Sequence, residues 1–263
     1  MRRLATPPER IAVQSRLRSA LAWSFQGRIA PSAFPAFRRS ALATTFAAAA
    51  LAGAGPSHPP DPLEAAGWRH VEWHGVPPAS FRLLPNGGIG VQAEAQGSFV
   101  WRRVQGMPAC LGWRWRVDQG PPPTDLTQRG GDDRAISISV GFSGWPPQVT
   151  MWQRTQHAMA QAAAGSHPLP RSVLTYVWGG TGREPVPFAS PYLAGLGKVR
   201  VLRPAEAPRG RWFEESVNLA ADWRHAFGGE PPPLQEIVIS TDVDDTRSRL
   251  DARVEAIRFG PCR

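Results

Sequence analysis

The chain has 263 residues, 42% of them hydrophobic, with 11 tryptophans, two cysteines and a formal charge of +9. Eight arginines against one glutamate place +7 of that charge in residues 1–54, which leaves +2 on the other 209 residues. A body so near neutral has no broad field to gather a polyanion, so the charge excludes nucleic acid as an expected partner.

Residues 35–54 have the layout of an export signal. Phe37-Arg38-Arg39-Ser40 is a basic patch, Ala41 onward is an uncharged Ala/Leu/Phe run, and Ala50-Leu51-Ala52 and Ala52-Gly53-Ala54 offer small-x-small cleavage patterns. No acidic residue stands between Arg10 and Pro60. The paired arginines also suit a twin-arginine exporter, although the surrounding pattern is incomplete. The alternative is an uncleaved anchor, but the run is short and alanine-rich for a bilayer core of ~30 Å. Residues 1–34 then read as an extension ahead of the signal, from a start codon assigned too early. The expected location is the bacterial periplasm or the medium, with no stable transmembrane anchor.

Residues 55–263 read as one domain in which period-two alternation dominates. Ile89, Val91 and Ala93 alternate with Gly90, Gln92 and Glu94; Leu111, Trp113, Trp115 and Val117 alternate with Gly112, Arg114, Arg116 and Asp118. Ile136, Ile138, Val140 and Phe142 alternate with Ala135, Ser137, Ser139 and Gly141. Each run puts large apolar groups on one face and small or polar groups on the other, as in a sheet buried on one side. Further strands are expected at 98–104, 173–178, 198–202, 212–217, 235–241 and 253–259. Gly87-Gly88 reads as a hairpin turn. Pro121-Pro122-Pro123, Gly144-Trp145-Pro146-Pro147, Gly179-Gly180 and Pro231-Pro232-Pro233 mark the breaks.

Two segments look helical. Over 150–164, Met151, Thr155, Ala158, Met159 and Ala162 share a stripe; over 219–227, Leu219, Trp223 and Phe227 recur every fourth residue, before Gly228-Gly229. The expected fold is mostly β: a two-sheet antiparallel β-sandwich, jelly-roll-like, with two short helices. Cys110 and Cys262 each sit beside an expected strand. They pair in an oxidising compartment if those strands are neighbours, and are otherwise unrelated thiols.

The order of motifs resembles the bacterial exported family catalogued as domain of unknown function 3047. The resemblance rests on 111–117 (Leu-Gly-Trp-Arg-Trp-Arg-Val), 131–135 (Gly-Asp-Asp-Arg-Ala), 174–178 (Leu-Thr-Tyr-Val-Trp), 222–228 (Asp-Trp-Arg-His-Ala-Phe-Gly) and 240–246 (Ser-Thr-Asp-Val-Asp-Asp-Thr). It covers about residues 65–260. Asp245 stands where the family pattern has Asn, and Ser190-Pro191-Tyr192 where it has Asn-Pro-Tyr. The resemblance implies fold and export; it carries no activity. The outline is also similar to sandwich domains that bind carbohydrate, an analogy of fold alone.

The strongest chemical candidates are Asp242, Asp244 and Asp245, with Asp132 and Asp133 as a second pair. Alternate aspartates on a loop can aim several oxygens at a hard cation such as Ca²⁺; the alternative is a turn neutralised by Arg134, Arg247 or Arg249. Paired carboxylates also hydrolyse glycosides at the right spacing, but no general acid stands out, and no catalytic residue is assigned. Gly141-Phe142-Ser143-Gly144-Trp145 falls short of a nucleophile elbow. His70, His74, His157 and His225 read as surface or interfacial histidines.

Aromatic faces beside polar groups grip sugar rings. Trp145, Trp152 and Tyr192 lie in or beside loops and are the expected ligand contacts, whereas Trp113, Trp115 and Trp178 sit on the apolar phase and are expected in the core. Arg114 and Arg116 project from the opposite face, toward either an acidic ligand or the aspartate pairs. These features favour a non-enzymatic ligand-binding domain, carbohydrate being one candidate ligand. The alternatives are an aspartate-dependent hydrolase of envelope glycans and an envelope scaffold that binds another protein.

Overall fold

A computed structural model describes residues 61–262, so the leader segment and the extension before it lie outside the described residues. Among the described residues twelve strands form two sheets. In chain order they are β1 (Arg69–Glu72), β2 (Ser80–Leu83), β3 (Ile89–Glu94), β4 (Gly97–Arg103), β5 (Cys110–Gln119) and β6 (Arg134–Phe142). They continue with β7 (Ser172–Gly179), β8 (Phe188–Ala189), β9 (Gly197–Arg203), β10 (Phe213–Asn218), β11 (Leu234–Asp242) and β12 (Arg249–Gly260). One sheet has seven strands in the order β1-β4-β11-β6-β7-β9-β8, and the other has five in the order β10-β5-β12-β3-β2. Pairing is antiparallel except between β7 and β9. The result is a mostly β, two-layer sandwich.

The alternating runs explain the layers. Leu111, Trp113, Trp115 and Val117 of β5 are buried, as are Ile136, Ile138, Val140 and Phe142 of β6, and both sets belong to one apolar cluster between the sheets. Indole rings fill its centre. Trp113 meets Trp115 edge-on with centroids 5.3 Å apart, Trp115 meets Trp178 at 5.7 Å, and Trp178 meets Phe213 at 5.3 Å. Such edge-to-face pairs match the positive rim of one ring to the negative face of the next. Trp115 also donates its Nε1–H to Glu215 Oε1 at 3.0 Å, so its burial leaves no polar atom stranded.

Among the described residues three helices punctuate the strands: α1 (Pro62–Ala65), α2 (Met151–Ala163) and α3 (Leu219–Phe227). The first corrects the expectation of two; its single turn is capped by Asp61 and carries too few residues to show a period. Thr150 and Gln153 form a reciprocal capping box at the start of α2. Asn218 caps α3, and Gly228 ends it at φ 75°, a conformation open to glycine at little cost. Strands β1, β2 and β8 add to those expected. β1 and β2 are exposed, short and lie at or near sheet edges, so no apolar alternation announces them, and β8 has two residues.

Cys110, at the start of β5, is bonded to Cys262, just beyond β12, with sulfurs 2.04 Å apart. β5 and β12 are hydrogen-bonded neighbours with Gly260 opposite Cys110, which brings the two sulfurs within reach. No described helix is long and apolar enough to cross a membrane.

Candidate functional site

The outward phase of the seven-stranded sheet forms the floor of a groove that encloses about 280 Å³. β6 contributes Ser137, Ser139 and Gly141, β7 contributes Val173, Thr175 and Val177, and β11 contributes Glu236, Val238 and Ser240. These are the small and polar partners of the core residues on the same strands. Phe99 of β4 and the Trp73–Val76 turn wall one side; Val199 of β9 and Ser190–Leu193 wall the other. Ser139 and Thr175 share a hydroxyl hydrogen bond of 2.9 Å across β6 and β7, and Ser137 and Ser240 share one of 2.7 Å across β6 and β11. Ser139 and Thr175 each keep an acceptor lone pair beyond their shared bond, whereas Ser137 and Ser240 also accept from Arg134 at 3.5 and 3.4 Å.

One end of the groove is charged. Arg134 opens β6 opposite Asp242 of β11 and lies 3.6 Å from Asp242 Oδ2 and 3.5 Å from Asp132 Oδ2. It also donates to the Asp132 carbonyl at 3.0 Å and stands over the Trp73 ring at 5.8 Å. Tyr192 donates its hydroxyl to Asp132 Oδ1 and accepts the Gly130 N–H at 2.9 Å. Burial, and then the Asp132 charge, pushes the Tyr192 phenol well above its usual range, so it stays a neutral donor. Asp242 Oδ1 is buried without a hydrogen-bond partner. It packs on Gly97, where a Cβ would stand 2.5 Å from it and 2.6 Å from the Trp73 ring; glycine at 97 lets both groups approach the strand.

Burial raises the Asp242 carboxyl well above the ordinary carboxylate range; Arg134 opposes this, while Asp132, Asp244 and Asp133 add to it. A carboxyl that holds its proton more tightly in the fold than in the unfolded chain favours the fold at low pH. That contribution is lost as pH rises from about 4 through the folded value. Asp242→Asn removes the loss, because the amide never charges and Arg134 keeps Asp132. The variant's melting temperature relative to wild type is therefore expected to be higher at pH 7 than at pH 4. A difference that is flat or falling across that range, read by calorimetry, contradicts the assignment.

The other end is closed by a buried pair. His167 Nε2 lies 2.8 Å from Glu236 Oε2, and Trp101 stacks on the imidazole at 4.4 Å. The segment after α2 carries His167 back over the sheet, and Pro170 passes where a Cβ of Gly141 would stand 2.7 Å away. Gln161 of α2 holds this segment by donating to the His167 carbonyl at 2.9 Å and accepting the Leu169 N–H at 2.7 Å.

The expected site residues separate. Tyr192, Asp242, Asp244 and Asp245 line the groove. Trp145 does not; it is half-buried between Arg154 and Arg171, edge-on to His157 at 4.8 Å. Trp152 is 65% exposed on α2, away from the groove. Arg114 and Arg116 lie on the outer face of the five-stranded sheet. They pair with Glu255 and Asp118, which corrects the pairing with Asp132/Asp133 or Asp242/Asp244, because alternation on β5 turns them away from the other sheet. The acidic set regroups as well. Asp133, Asp244 and Asp245 bring oxygens within 4.8 Å of one another, while Asp242, on the strand itself, faces Arg134. Trp73, His167 and Glu236 are among the groove residues that the alternation did not single out. Glu236 stands on the polar phase of an apolar strand, which is a readable sign; nothing local places Trp73 or His167 over the sheet.

Residues 66–258 match the family described as "Protein of unknown function (DUF3047)". The chain belongs to this family. The match spans β1 to β12 and so takes in both sheets and the groove. No match to the chain was found among curated proteins.

Proposed function

We propose that this DUF3047 protein is a non-enzymatic ligand-binding sandwich that holds a carbohydrate in the groove of its seven-stranded sheet. The observation that carries this reading is the composition of the groove. A floor of hydroxyls on rigid strands lies between Trp73, Phe99 and Tyr192, which suits rings with apolar faces and hydroxyl edges. Arg134 and Asp132 supply a planar donor set and an acceptor at one end. We place the domain in the periplasm or outside the cell, a reading supported by the signal-like residues 35–54 and the Cys110–Cys262 bond.

A glycan array followed by isothermal titration with the bound oligosaccharide tests the reading. Ser139→Phe fills the floor and is expected to weaken binding at least about tenfold, a loss of roughly 1.4 kcal/mol. Arg114→Ala, on the opposite sheet, is expected to leave affinity unchanged. Absence of binding to every glycan contradicts the proposal, as does a loss produced equally by Arg114→Ala.

A second reading, an aspartate-dependent hydrolase acting on envelope glycans, is favoured by one observation: Asp242 borders the groove, and burial raises its carboxyl above the ordinary carboxylate range, the direction a general acid requires. It predicts product release that Asp242→Ala abolishes with the fold intact.

A further inference from the structure

We propose that Asp133, Asp244 and Asp245 form a binding site for a hard divalent cation, Ca²⁺ above all, at the rim of the groove. Their oxygens lie within 4.8 Å of one another, a spacing that lets three carboxylates converge on one ion at 2.3–2.6 Å.

The independent observation is Asp133. The residue is 1% exposed, and the two oxygens of its carboxylate have different fates. Oδ2 accepts the Thr246 N–H at 2.7 Å and the Thr246 hydroxyl at 2.5 Å. Oδ1 is buried and has no hydrogen-bond partner. A buried carboxylate oxygen with no donor has lost its hydration without replacement, so the fold retains it at a loss unless something fills the position. Oδ2 is committed to the turn, and Oδ1 is the oxygen left for a ligand.

The placement gives the ion two consequences. Asp133 belongs to the segment entering β6, whereas Asp244 and Asp245 belong to the turn between β11 and β12, so the ion ties a strand of one sheet to the crossing between both. Asp244 and Asp245 also line the groove, so waters completing the shell of the ion face the ligand space.

The test uses CaCl₂ alone, on full-length protein stripped with chelator, and so does not depend on the carbohydrate reading. One-to-one binding is expected, with an affinity in the range of extracellular calcium modules, about 10⁻⁴–10⁻³ M. At about 10 mM CaCl₂ the melting temperature is expected to rise by about 3–8 °C. The double variant Asp244→Asn/Asp245→Asn keeps the Asp133–Thr246 hydrogen bonds and the fold, and is expected to lose both the binding heat and the shift. Wild-type protein that shows neither heat nor shift at that concentration overturns the proposal. So does a double variant that folds and retains both.

Discussion

Trp178→Ala is expected to cost about 3–5 kcal/mol, close to the limit that a domain of this size survives. Trp178 is 1% exposed and takes part in two edge-on contacts, with Trp115 at 5.7 Å and Phe213 at 5.3 Å. Trp115 in turn meets Trp113, so the deleted ring opens a cavity inside a chain of indoles that runs through the sandwich. β5 and β7, which carry Trp115 and Trp178, are each paired on both sides and cannot collapse into it. Trp152→Ala supplies the contrast. That ring is 65% exposed on α2, and its removal is expected to change stability by less than about 0.5 kcal/mol. Urea titrations of the two variants check this directly; equal midpoints contradict the layered core.

The second large effect belongs to the cross-link. Cys110 and Cys262 lie 152 residues apart in sequence, and in the chain-entropy description a loop of that length restricts the unfolded state by about 5 kcal/mol. The folded state needs little from the bond, since β5 and β12 already pair along their length. The variant Cys110→Ser/Cys262→Ser is therefore expected to fold to the same structure with a melting temperature about 5–15 °C lower. Cys262 is exposed, so wild type in dithiothreitol should melt with the variant. A variant that matches oxidised wild type shows that the bond does not restrict the unfolded chain.

How much of this was legible in the sequence depends on whether a residue acts through its strand or through a distant loop. β5, β6, β7 and β11 were readable because each presents large apolar groups at every second position. The same alternation exposes the groove floor, since Ser137, Ser139 and Thr175 occupy the other phase. What could not be read is which of the two outward faces would be covered. Arg114 and Ser139 have equivalent positions in their strands, yet one lies beside Glu255 and the other under the 166–171 segment and the Tyr192 loop. That difference arises from long connections whose prolines and glycines specify breaks but not destinations. The aspartates show the same division. Asp242 is part of the β11 ladder and so meets Arg134 across from it, whereas Asp244 and Asp245 follow the turn to Asp133, over a hundred residues earlier in the chain.

The covered face is the basis of the functional reading, and amide chemical-shift mapping during titration with a soluble oligosaccharide selected on the array tests it most directly. The groove predicts perturbations centred on 137–141, 173–177 and 236–240, extending to Gly130 and Tyr192. Shifts confined to β5 and β12 around Arg114 and Arg116, or spread evenly over both sheets, contradict it.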